Sequence, residues 1–177
     1  LDADAIGRSA GTEATTMPDG VVRVGWSRDD VPVSIDGLNI PPPAGLGSWA
    51  AFKRLPDGST MVMGDTVVFE DEITPAMDAA IANGLEITAL HNHFTFDRPH
   101  VYFMHIGGEG EAGALAGGVK AVWDAIRAVR AERAQPASGF GGAAPVALTP
   151  AAGTVGRIDR GHARPQRMAV RPKASVV

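Results

Sequence analysis

Apolar side chains first recur along this chain at every second residue. Val22, Val24 and Trp26 alternate with Arg23 and Gly25, and Val31, Val33 and Ile35 alternate with Pro32 and Ser34. That period belongs to strands with one buried face. Asp36-Gly37 is a turn signal, and Pro41-Pro42-Pro43 with Gly45 and Gly47 forces an extended connector. Residues 49–55 and 59–69 read as the arms of a hairpin, reversed by Pro56-Asp57-Gly58.

The period then lengthens. Thr74-Pro75 reads as an N-cap followed by proline at the first helical position, Met77, Ala80 and Ile81 form a short stripe, and Asn83-Gly84 ends the helix. Two strands around a histidine-rich stretch follow, reversing near Asp97-Arg98-Pro99. A second helix is expected over 112–132, where Leu115, Val119, Val122, Trp123, Ile126 and Val129 keep the 3.6-residue spacing of one buried face. The order ββββαββα predicts an α+β fold, an antiparallel sheet of about six strands with two helices packed on one face. Residues 1–20 read as a loosely ordered lead-in with a short helical turn near Asp2 to Arg8, and 21–133 as a single domain. Residues 134–177 read as a disordered Ala/Gly/Pro/Arg tail.

Charge sharpens that division. Beyond residue 133 six Lys/Arg stand against one Asp, so the tail carries +5 and the remainder −9 of the chain's net −4. An acidic domain gives no reason to expect nucleic acid as a partner. No run reaches the ~18 apolar residues of a membrane-spanning helix, which predicts a soluble chain. With no cysteine, thiolate metal sites, disulfides and cysteine nucleophiles are excluded.

The chemistry concentrates in Ala89-Leu90-His91-Asn92-His93-Phe94 and Val101-Tyr102-Phe103-Met104-His105-Ile106, which with the turn between them hold four of the five histidines. In an extended segment His91 and His93 share a face. A reversal between Asp97 and Arg98 pairs His91 with His105 and His93 with Phe103, so three imidazoles converge, and a one-residue slip would scatter them. His100 has the opposite parity and is set aside. Three histidines without a fourth protein ligand match a divalent-metal site with an open position for water, zinc being the first guess for imidazole ligands. Asp65, after Gly64 in the neighbouring hairpin, is the fourth ligand or orients a ring; a capping aspartate is its bland reading. The bland reading of the histidines is a hydrogen-bonded cluster with Asn92, Thr95 and Asp97.

Gly108-Glu109-Gly110-Glu111-Ala112-Gly113 fits the spacing of a dinucleotide-binding loop, but two glutamates occupy the place of the pyrophosphate and no strand follows the helix. No nucleotide cofactor is therefore expected. His91-Asn92-His93 lacks the basic surface that a nuclease of the HNH type requires. It also lacks the later glutamate and second histidine motif of a cupin.

Several segments together resemble the LppY/LpqO family, bacterial domains of unknown function that include envelope lipoproteins. They are Arg28-Asp29-Asp30-Val31, Gly47-Ser48-Trp49-Ala50-Ala51-Phe52, Met63-Gly64-Asp65, Asp71-Glu72-Ile73, Thr88 to His93 and Tyr102 to Gly108. The resemblance covers about residues 20–130 and implies an extracytoplasmic location, in the periplasm or cell envelope, with which a start at Leu1 is compatible. It also implies a second domain copy or a homo-oligomer as partner, beside an unknown small molecule or envelope component. The function expected is an exported domain with a divalent metal on His91, His93, His105 and Asp65, and, if an enzyme, a metal-dependent hydrolase. The alternative is a non-catalytic envelope binding or scaffolding module with a structural histidine cluster.

Overall fold

The computed structural model describes residues 1–137. The expected hairpin is its centre. The long strands β5 (Gly47–Arg54) and β6 (Thr60–Phe69) are joined by a turn in which Asp57 Oδ1 accepts from the Ser59 N–H at 3.0 Å. Strand β9 (Val101–Gly110) pairs with β6 over its whole length, from Thr60↔Gly110 to Phe69↔Val101. Strand β2 (Val22–Ser27) lies beyond β5, and β7 (Glu86–His91) lies beyond β9. The sixth member, β1 (Ala14–Thr16), pairs with β2, so the antiparallel sheet runs β1-β2-β5-β6-β9-β7.

The expected α+β fold with a six-stranded antiparallel sheet is present, with two changes of membership. The stretch read as a loose lead-in instead holds β1 and the helix α1 (Ala3–Ala10). Asp2 caps α1 by accepting from Ala5 N–H, Gly11 closes it, and Ile6 and Ala10 are buried. The short helical turn expected near Asp2 to Arg8 is the start of α1, whereas the three residues of β1 are too few for their alternation to stand out. The strand expected around Val31 to Ile35 leaves the main sheet. As β3 (Val33–Ile35) it forms a small second sheet, β4-β3-β8, with β4 (Leu38–Ile40) and β8 (Asp97–Arg98).

Three helices, not two, cover one face: α1, α2 (Ile73–Ala82) and α3 (Ala112–Glu132). The helix expected to begin at Thr74 begins earlier. A 3₁₀ turn over Glu70–Glu72 runs straight into α2, so Thr74 lies inside the helix rather than capping it. The Phe69 N–H donates to Glu72 Oε2 at 2.8 Å and ties that start to the end of β6. The bounds of α3 are those read from its periodicity. Its Val119, Val122, Trp123 and Ile126 pack on Val24, Phe52, Val62 and Met104 of the sheet, each fully buried aliphatic side chain contributing about 1.5–3 kcal/mol. Trp123 Nε1 donates to Thr66 Oγ1 at 3.2 Å, which satisfies the buried indole N–H. At the start of α3, Glu111 accepts from Gly113 and Ala114 N–H, so the carboxylate fills the place a phosphate would take in a dinucleotide-binding loop. Those two backbone bonds hold the Glu111 carboxyl below the usual glutamate range.

The second face of the sheet is only partly covered. The small sheet closes over one end, where Val31, Val33 and Leu46 pack against Val67, Phe69, Val101 and Phe103. The other end stays open, with Met63 57% exposed. None of the described helices is long and apolar enough to cross a membrane. The expected tail falls, from residue 138 onward, outside the described residues.

At Gly64 this architecture demands glycine. A Cβ there would stand 2.8 Å from Trp49 O and 3.0 Å from Ile106 Cγ1, backbone on one side and core on the other. Gly64→Ala is expected to lower stability by about 1–3 kcal/mol, as overpacking does, read from urea denaturation midpoints at unchanged slope.

Candidate functional site

The site is set by one row of paired positions across four strands. Trp49 on β5 faces Asp65 on β6, Asp65 faces His105 on β9, and His105 faces Ala89 on β7. Paired residues project to the same side, so Asp65 and His105 stand together on the partly open face.

The register differs from the one expected. His91 pairs with Phe103, not His105, and the ladder shifts at a β-bulge between Ile87 and Ala89. The slip amounts to two residues, and two preserves parity where one would have reversed it. His91 therefore still reaches His105, diagonally, with Nε2 to Nε2 at 3.0 Å. The cause of the shift is the connection. Residues 92–100 do not form a tight reversal, because β3 takes Asp97 and Arg98 as a strand of the second sheet. Asp97, buried, accepts from Val101 N–H at 2.6 Å and stands 3.3 Å from His100 Nδ1, so His100 belongs to this connection.

His93 lies past the end of β7, not within it. Its ring lies flat on Phe103, centroids 3.5 Å apart and planes within 9°, and against His91 at 4.9 Å. The His91 and His105 centroids are 4.8 Å apart. Two imidazoles on one ion at 2.0–2.1 Å would bring their ring centres to about 5 Å. Asp65 Oδ1 is 3.6 Å from His105 Nε2, is buried, and makes no hydrogen bond to the described residues. A buried carboxylate oxygen without a donor is costly.

The four groups also feel one another. Loss of hydration is the largest influence on His93 and pushes its imidazole below the usual range. Asp65 pulls the other way, and His91 and His105 add to the lowering. The His105 side chain is 40% exposed, so the group meets solvent at the border between the covered and open parts of the face. Among the described residues no three such groups stand as a ready-made ion cage. His91, His105 and Asp65 converge, while His93 is turned onto Phe103.

A second polar feature escaped the sequence. Arg28 is buried and grips Asp30 (Nε to Oδ1, 2.8 Å) and Glu72 (Nη1 to Oε2 and Nη2 to Oε1, both 2.8 Å) while donating to Val67 O at 3.0 Å. Arg130 of α3 approaches the same Glu72 at 2.8 Å and also pairs with Asp71. Burial alone would pull the Arg28 guanidinium down, but Glu72 and Asp30 outweigh it and hold it above its ordinary value. Charged residues at 28–30 and 70–72 were visible. Their pairing across 44 residues, and with α3, was not.

A family model described as "Domain of Unknown Function (DUF1259)" matches residues 4–125, and the chain belongs to that family. No curated protein and no solved structure matches it.

Proposed function

We propose that this domain binds a divalent transition metal through His91, His105 and Asp65, completed by His93 once its ring turns off Phe103. The supporting observation is the convergence of two imidazole Nε2 atoms 3.0 Å apart with a buried carboxylate oxygen, lacking a hydrogen bond among the described residues, 3.6 Å from one of them. Imidazole nitrogens and one carboxylate suit zinc first, then copper, nickel or iron. With four or fewer protein ligands at a partly exposed border, solvent keeps access, and the chemistry such an ion supplies is activation of water for hydrolysis. Metal-assisted hydrolysis is thus the reaction proposed if the domain is an enzyme. Likeness to the LppY/LpqO envelope proteins, and with it an extracytoplasmic location, belongs to the same proposal.

A second reading rests on the same 3.0 Å contact. One neutral histidine donating to the other makes a hydrogen-bonded structural pair, in a binding or scaffolding module without catalysis. Elemental analysis of the purified chain, followed by calorimetric titration of chelator-treated protein with zinc, separates the two. About one ion per chain with micromolar or tighter affinity is the expected result. A chain that takes up none, while remaining folded, would falsify the metal reading and leave the structural pair.

A further inference from the structure

We infer a second ligand site on the same sheet face, an anion site built on Arg23 and Trp49 that takes a small polyhydroxylated acid, a sugar acid or sugar phosphate. It does not depend on metal at the histidines. A cavity of about 380 Å³ opens over β1, β2 and β5, lined among others by Glu13, Thr15, Met17, Arg23, Ser48 and Trp49.

Register places its key residues. Arg23 pairs with Ala51, and Gly25 with Trp49, so Arg23, Trp49 and Asp65 share the outer face. The Arg23 guanidinium lies over the Trp49 ring, Cζ 4.7 Å from the centroid. Among the described residues it has no carboxylate partner, unlike Arg28, Arg127 and Arg130. A guanidinium held by stacking has lost much of its rotamer freedom before a ligand arrives. Its planar fork of donors matches a carboxylate or phosphate.

The other walls narrow the ligand class. Glu13 and the Thr15 hydroxyl line the same space, and Glu13 makes no ion pair with Arg23 among the described residues. They offer acceptors to ligand hydroxyls, while the cation meets the acid. Gly25 and Gly47 leave the floor free of side chains; a Cβ on Gly47 would meet nothing within 4 Å. A simple fatty acid would waste the acceptors, and a neutral sugar would waste the cation.

Strands spaced ~4.8 Å apart put β5 about 10 Å from β9, so a ligand of two ring lengths anchored here would reach His105. Titration of the full chain with a hexuronate, a hexose phosphate and the neutral hexose, followed by nitrogen-proton correlation spectra, tests the site. At least one acid is expected to saturate with shifts at Arg23, Trp49 and Thr15, and the neutral hexose to bind at least tenfold more weakly. Which acid saturates distinguishes carboxylate from phosphate. Arg23→Ala should weaken binding tenfold or more and Glu13→Gln severalfold, while His91→Ala leaves it within twofold. That last result separates this site from the metal proposal. Absence of saturation by either acid, or equal binding in a folded Arg23→Ala variant, overturns the inference. If Arg23→Ala does not fold, Arg23→Gln carries the same expectations.

Discussion

Replacing Glu72 by alanine is expected to cost about 3–5 kcal/mol of folding free energy, the scale of breaking a buried ion pair by removing one partner. Glu72 is fully buried and binds two guanidinium groups, Arg28 and Arg130, together with the Phe69 N–H. Its loss would leave Arg28 with only Asp30 and Val67 O, Arg130 with only Asp71, and the Phe69 N–H without its acceptor. Desolvation of those groups, more than the lost attraction, sets the size of the effect. The contrast is Asp124 on the outside of α3, which also pairs with two cations, Lys120 and Arg127, but at 46% side-chain exposure. Exposed pairs contribute roughly 0–1 kcal/mol, so Asp124→Ala should cost no more than that. Chemical denaturation of both variants at matched slope checks the pair. Two comparable losses would show that burial is not what gives the network its strength.

Acidification acts on the same network. Burial alone would raise the Asp71 carboxyl, but Arg130 and the Ala137 N–H outweigh it and hold it below its ordinary value of 3.8. A carboxyl lowered on folding adds stability above its unfolded value, and that contribution fades as pH falls through the folded one. The network should therefore loosen below about pH 4 and not between pH 5 and 8.

Substituting His105 is expected to have the largest effect on metal uptake. Its ring is the hub: Nε2 stands 3.0 Å from His91 Nε2 and 3.6 Å from Asp65 Oδ1. His105→Ala should reduce zinc affinity beyond the ~10–100-fold typical of losing a supporting group. His93→Ala should do less, because that ring rests on Phe103 and belongs to the connection after β7. Stability should move the opposite way round from a structural cluster. Removing a half-exposed ring from β9 opens no cavity, so the unfolding midpoint of metal-free protein should barely shift. Zinc titrations of His105→Ala, His91→Ala and His93→Ala, each with a melting curve, give the ranking. Equal affinities across the three would refute a site centred on His105.

How much of this was legible in the chain depends on the range of each interaction. Helix α3 could be read to its ends because its apolar spacing and its cap are local, and the β5–β6 hairpin because its turn residues are. The start of α2 lies ahead of the Thr74 expected from local signals because Glu72, three residues beyond Phe69, folds back on the Phe69 N–H, and that bond draws the start of the turn into Glu70–Glu72. The histidine face came through, since parity survives a slip of two. The pairing itself did not, because β3 competes for Asp97 and Arg98 across more than sixty residues and nothing near the histidines announces it. The ion network was opaque for the same reason.

The small sheet that covers one end of the outer face is assembled from residues 33–40 and 97–98, far apart in the chain. Asp65 and His105 sit on long uninterrupted strands. The candidate site and the cover beside it are thus encoded in separate stretches of the chain. A change of loop length within 33–40 should therefore leave the pairing of Asp65 with His105 in place.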